Sequence, residues 1–310
     1  MTASALQLRH RRGRAIGYLA CALSGCCWGT GFFFGKIAFT RLSVGHYVLY
    51  RFLFACLGLL PILEKPQFTR REWNLILIGA LLGIPLQFMV QFEGLKLTTV
   101  SHAALMVGTM PVILAAGATL FAHERLDAKG WLALLGATAG IALIVTSSAH
   151  GGLHGGNLWG DLLVVLSLLI ALGWVLLNQR LILRGRSPLS VTCWTLITGT
   201  AMLIPWVLVQ DGLPPVRGLG WKVWGATAAS GLVCTAAATL FWNWGIHRVP
   251  ASRAGVFLNI EPALGSILGV LVLGDRLGPG AWIGGALIIT AAVVLTTTGK
   301  GDPAPRAAEV

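Results

Sequence analysis

The chain has 310 residues, of which 55% are hydrophobic and only 11% charged, with a mean hydropathy of +0.77 and a formal net charge of +12. A soluble domain carries roughly 25% charged residues, so composition excludes an ordinary soluble globular fold. Nucleic-acid binding is excluded as well, because the lysines and arginines fall between apolar runs and form no continuous basic face.

Residues 1–14 form a basic leader carrying Arg9, Arg11, Arg12 and Arg14. The apolar run that follows is too long for a signal peptide's hydrophobic region and lacks a small-residue cleavage site, so it is an uncleaved first span. Ten apolar runs follow in order, at about 15–39, 45–63, 73–92, 100–121, 129–147, 159–181, 189–209, 221–244, 252–273 and 280–298. A Gly/His/Ser stretch at 148–158 separates runs five and six and reads as a linker, its two histidines included. The domains expected are therefore a first five-helix repeat at 15–147, a second at 159–298, and a tail at 299–310. All six cysteines lie inside apolar runs, which makes them small buried hydrophobes and not disulfide partners or zinc ligands.

The two halves repeat. Laying Ser252–Leu277 on Ser101–Leu126 superposes Ser252 on Ser101, Ala254 on Ala103, Pro262 on Pro111, Leu271 on Leu120 and the Asp-Arg-Leu turn on the Glu-Arg-Leu turn. Such internal repeats fix an architecture. Basic residues orient it: with the N-terminus inside, sixteen of the 23 fall on the cytoplasmic side, and only Arg41, Lys96, Arg217, Lys222 and Arg276 fall outside. Five spans per half is an odd number, so the second half inserts upside down relative to the first. The expected fold class is an all-α membrane protein of ten transmembrane helices, built as two inverted five-helix repeats, in the inner (plasma) membrane with both termini cytoplasmic. Inverted repeats are typical of secondary transporters, which hold substrate near the bilayer midplane. Recurrent GxxxG spacings, Gly25/Gly29 and Gly136/Gly140 among them, are helix-packing positions.

Several stretches carry a resemblance: Trp28-Gly29 and Lys36 in span one, Arg51-Phe52 in span two, Pro111 with Glu124-Arg125-Leu126, and Ser252-Arg253-Ala254 through Glu261-Pro262. Together they resemble the EamA-type family of the drug/metabolite transporter superfamily, over roughly residues 15–298. The resemblance implies a ten-helix permease, usually an exporter of small metabolites or amino acids; it names no substrate. Asp275 departs from the glutamate common at that turn.

Glu261 is the sharpest candidate for chemistry, because a carboxylate inside a span costs at least a few kcal/mol. Pro262 after it removes an amide and predicts a kinked helix, as does Pro111 in the first half. Met110 stands where the repeat would put the matching acid. Lys36 and Arg51 lie in the outer parts of their spans; they either snorkel to the interface or line an outward mouth that attracts an anionic group. The repeat sets Lys36 opposite Gln179 and Arg51 opposite Trp194, so the second half lacks both charges. Gln87 and Gln91 share a face of span three, and His102 is a candidate proton carrier. Trp28, Trp174, Trp194, Trp242 and Trp244 lie deeper than the belt tryptophans at span ends and are candidates to wall a cavity or to pack the core. Asn178, Asn243 and Asn259 are candidates to hydrogen-bond a substrate or a neighbouring helix.

The sequence thus predicts a monomeric secondary exporter of small metabolites such as amino acids, without cofactor or metal, whose partners are its substrate, the bilayer and, if coupling is by protons, protons taken by Glu261 and His102. The alternative is an exporter of drugs or quaternary ammonium cations by proton antiport. A membrane enzyme would want a cluster of acidic, His or Ser groups at one face, and a nucleotide-driven pump would want GxxxxGK[ST]; neither pattern occurs.

Overall fold

The computed structural model describes residues 3–121, 128–149, 157–246, 248–249 and 255–298. Every described element is helical, as expected where a bilayer leaves backbone groups no water to bond. Six segments among the described residues are long and apolar enough to cross a membrane: Gly13–Ala38, Val44–Ile62, Arg70–Leu97, Leu158–Leu183, Pro188–Gln210 and Gly220–Ile246. Shorter apolar helices occupy Val100–Leu114, Ala128–Ile144, Phe257–Leu273 and Pro279–Val294. The Glu-Arg-Leu turn at 124–126, most of the 148–158 linker, Ser252 to Ala254 and the 299–310 tail lie outside the described residues.

Local chemistry fixes where helices begin. Ser43 starts α3 (Val44–Leu59) by accepting from the His46 amide, and Thr69 with Glu72 forms a reciprocal capping box at the start of α4 (Arg70–Leu81). Thr99 caps α6 (Val100–Val107) through the His102 amide, Asn157 caps α9 (Leu158–Leu183), and Ser187 caps α10 (Pro188–Gln210). These oxygens satisfy amides that the first helical turn leaves without partners.

Five of the runs read from sequence as continuous spans are interrupted. The first breaks at Thr30, between α1 (Ala3–Gly29) and α2 (Gly31–Ala38), and the Thr30 hydroxyl donates to the Cys27 carbonyl. The third passes from α4 through a π-helical turn at Leu82–Leu86, containing Pro85, into α5 (Gln87–Leu97). The eighth does the same from α11 (Gly220–Gly231) through Leu232–Ala237 into α12 (Ala238–Ile246). The fourth breaks after α6, before α7 (Met110–Phe121). The ninth runs as a 3-10 turn over Gly255–Asn259 and then α13 (Ile260–Leu273). Pro111 and Pro262 are thus the second and third residues of helices, where a missing amide disturbs little. The chain changes helix just before each proline instead of bending within one. The repeat register carries Gly83 onto Cys234 and Met110 onto Glu261, so the interruptions of spans three and four recur in eight and nine.

Helix pairs exchange roles as a twofold operation requires. α5 packs on α9 and α12 on α1, while α6 faces α13, α3 faces α10, and α8 (Ala128–Ala149) faces α14 (Pro279–Thr298). A Cβ at Gly94 would stand 2.7 Å from the Gly160 carbonyl, and one at Gly245 would stand 3.0 Å from the Gly17 carbonyl. Gly94 and Gly245 correspond under the repeat, as do Gly17 and Gly160, so one close backbone approach is built twice. The main core gathers Tyr47, Phe52, Phe92, Leu95 and Met106, all under 2% exposed, between the two halves.

Candidate functional site

The interruptions of the first and eighth spans meet, with the Thr30 hydroxyl 3.1 Å from the Cys234 thiol. Arg51 on α3 reaches across to the π-turn of the eighth span, where its Nε donates to Thr235 Oγ1 at 3.0 Å. Thr235 in turn donates a hydrogen bond to the Ser230 carbonyl at 3.0 Å, five residues back, the spacing that a π-turn leaves open. Tyr47 and Ser230 share a 2.6 Å hydroxyl contact beside the same guanidinium. The charge lies over Phe88 at 5.0 Å and Phe92 at 5.3 Å, ring faces that hold a cation without competing for its donors. Arg51 is 6% exposed, and among the described residues no carboxylate forms an ion pair with it. A buried guanidinium without a paired anion is costly to maintain.

Opposite it stands Glu261, the second residue of α13. Its backbone lies against Gly29, the residue after Trp28, where a Cβ would sit 3.0 Å from the Glu261 carbonyl. Trp28 and Trp242 face each other at 5.5 Å. Glu261 is partly buried, makes no hydrogen bond among the described residues, and feels Arg51 as its principal charge. Cys234 has its thiol 3.1 Å from the Thr30 hydroxyl, and its Cβ meets the same face of Gly31 as the Arg51 guanidinium. Gln87 and Gln91, 7% and 6% exposed, follow the π-turn of span three on the helix that carries Phe88 and Phe92, and the Gln87 Oε1 is buried without a partner. Arg51, Glu261 and the Trp28–Trp242 pair thus supply one cation, one acid and two indoles.

Other candidates stand elsewhere. Lys36 donates to the Thr98 carbonyl at 2.6 Å, and Thr98 in turn donates to Asp161 Oδ1 at 2.6 Å. His102 Nδ1 meets Asp161 Oδ2 at 3.1 Å, both residues at 2% exposure or less. Ser101 bonds Asp275 Oδ2 through its amide and its hydroxyl, both at 2.9 Å. These ties join the ends of α2, α5, α6, α9 and α13 into one polar lattice, which marks the Lys36 end of the bundle. At the opposite end, Arg186 grips Glu72 with two donors at 2.9 Å each, and Trp194 donates to the Glu64 carbonyl while its ring packs on Trp73. Asn178 accepts from Thr195 at 3.5 Å, Asn243 donates to the Thr239 carbonyl, and Asn259 is buried at the turn before α13.

The structure thus sets Arg51 and Glu261 on facing elements and Trp28 against Trp242, leaves Gln87 and Gln91 on the helix whose Phe88 and Phe92 lie under Arg51, and sets Lys36 and His102 apart in the lattice. Arg51 does not snorkel, because Thr235 and the Phe88/Phe92 faces offer its head a better environment inside than an interface does. Trp194 and Trp244 wall no central cavity: the first latches the Glu72 end, and the second is exposed beneath the Arg248 guanidinium at 3.6 Å. Sequence reasoning missed Thr235 and Cys234, whose signal is a π-turn invisible to hydropathy, and Tyr47, which stands one helical turn before Arg51. It also missed Asp161 and Asp275, although with only eleven acidic residues in the chain each was conspicuous.

Comparison with known proteins adds an independent view. The model of the family described as EamA-like transporter family matches residues 15–146 and again 158–297. An uncharacterized transporter of Archaeoglobus fulgidus is 26% identical over 293 residues, covering 91% of this chain and 97% of its own. The Bacillus subtilis transporter YyaM is 27% identical over 280 residues, covering 87% and 90%. A WAT1-related protein of Arabidopsis thaliana is 25% identical and covers 80% and 76%. A solved crystal structure at 18% identity superposes with a TM-score of 0.63 over 93% of this chain and 98% of that one, a likeness of fold.

Proposed function

Because the chain belongs to the EamA-like transporter family, whose members are transporters and not enzymes, we propose that this multi-pass membrane protein is a secondary exporter of small zwitterionic metabolites such as amino acids. The observation that carries the reading is the central pair of opposite charges that do not bond each other. Arg51 holds donors toward the centre and Glu261 a carboxylate without a hydrogen bond, so a ligand bearing one carboxylate and one ammonium completes both. Trp28 and Trp242 give its side chain an apolar wall.

On this reading the ten apolar helical segments are ten spans in two inverted repeats, the Lys36 end faces out, and the Glu72 end faces the cytoplasm, as the basic-residue asymmetry requires. One chain supplies both orientations, so a monomer suffices. Access alternates when the lattice at the Lys36 end and the Glu72–Arg186 clamp yield in turn. Glu261 is the group in the centre able to exchange a proton for substrate.

The test is thermal stabilisation of the detergent-purified protein by a panel of amino acids, other metabolites and lipophilic cations, since a ligand of the folded state raises its apparent stability by mass action. The expected result is stabilisation by one class of amino acids, lost in Glu261→Gln and in Arg51→Gln. Stabilisation by lipophilic cations alone sinks the zwitterion and promotes the drug-export reading, which the Trp28–Trp242 pair beside Glu261 also suits.

A further inference from the structure

The two π-turns face equivalent helices but are filled in opposite ways. In the second half, Trp174 of α9 lays its indole on Gly83 of the first π-turn, where a Cβ would stand 2.6 Å from the ring. The repeat that sets Lys36 opposite Gln179 sets Gly31 opposite Trp174, and Cys234 of the other π-turn corresponds to Gly83. The large residue is therefore on the helix in one place and missing from it in the other. At Gly31 the vacated room is taken by the end of the Arg51 guanidinium: a Cβ built there would stand 3.8 Å from Nη1, 4.0 Å from Nη2 and 3.8 Å from the Cys234 Cβ. The indole niche is filled, with the Trp174 Nε1 buried and unpartnered, whereas the guanidinium niche at Gly31 lies two residues from Gly29, against which the Glu261 backbone packs.

We infer that Gly31 is a specificity-determining positioning residue: by lacking a side chain it lets the Arg51 guanidinium reach the π-turn of the eighth span and present its two Nη groups to a ligand carboxylate, while Trp174 fills the symmetry-related niche so that the molecule holds one such site and not two. The inference rests on the zwitterion reading of the central site and assigns the residue that fixes one of its poles. A methyl at position 31 makes ordinary van der Waals contact with the guanidinium, but any residue with γ-carbons must displace it. Displacement costs the ligand its bidentate partner without touching Glu261 or the indoles.

The experiment compares, for each amino acid that stabilises the wild type, the half-saturating concentrations of the acid and of its carboxamide, which keeps the ammonium and side chain but has no anion. The wild type is expected to favour the acid at least about tenfold, as a charge-assisted hydrogen bond warrants. Gly31→Ala keeps that ratio within about threefold. Gly31→Val brings it to about one while leaving carboxamide binding within about threefold, which loss of packing alone does not do. Should Gly31→Val fail to fold, Cys234→Leu crowds the same niche from the opposite wall, and its ratio decides. A folded Gly31→Val or Cys234→Leu variant that discriminates as well as the wild type overturns the inference and leaves the zwitterion reading standing. A wild type that binds acid and carboxamide alike overturns the zwitterion reading, and this inference with it.

Discussion

Asp161 shows how a carboxylate is kept inside a bilayer protein. It is fully buried, accepts the Thr98 hydroxyl on one oxygen and meets His102 Nδ1 with the other. Removing one partner of such a set strands the rest, so Asp161→Ala is expected to lower unfolding stability by about 3 kcal/mol, read from thermal unfolding in detergent. Asp161→Asn keeps an acceptor for Thr98 and should lose less. Glu261 is the opposite case, a carboxylate with no hydrogen bond among the described residues. Its replacement by Gln is expected to cost little stability but to flatten the pH dependence of transport into vesicles; pH dependence that survives intact removes Glu261 as the proton carrier.

At the scale of elements, the π-turns decide what the helices can present. The extra residue in Leu82–Leu86 advances α5, so that Phe88 and Phe92 come under Arg51. Gly83 must stay bare beneath Trp174: Gly83→Val is expected to cost about 2 kcal/mol by overpacking, and Trp174→Ala in the same chain to restore much of it, a coupling that a double-mutant cycle measures. Hydropathy located the apolar runs, residue identities at a fixed offset located the repeat, and the rarity of acids inside spans singled out Glu261. Hydropathy is blind to a change from α to π winding, which alters no residue's polarity. That is why Thr235 and Cys234, ordinary small residues in an apolar run, were not legible as site residues. The direction in which Arg51 points was equally hidden, because it depends on an acceptor 184 residues away.

For the whole molecule, the polar ties at its two ends are unequal in kind. The Lys36 end is a lattice over several helices, whereas the other end carries the Glu72–Arg186 pair, in which Glu72 also caps its own helix. Glu72→Lys sets like charges face to face and is expected to favour the state open at that end, raising the reactivity of the partly exposed Cys27 toward a thiol reagent supplied there. Combining it with Arg186→Glu should restore the protected level; equal reactivity in all three proteins would show that the clamp does not govern access.

The opposed filling of the two π-turns also bears on the history of the chain. A protein assembled from two copies of the first half would set Gly31 against Gly83 twice, leaving two hollows, two guanidiniums and, with Met110 in place of Glu261, no acid to balance them. Two copies of the second half would press Trp174 onto Cys234, where the first half offers the bare Gly83. At these two turns each half therefore fits the other and would not fit a copy of itself, because the bulk that one helix carries is matched only by the bare residue on the opposite half.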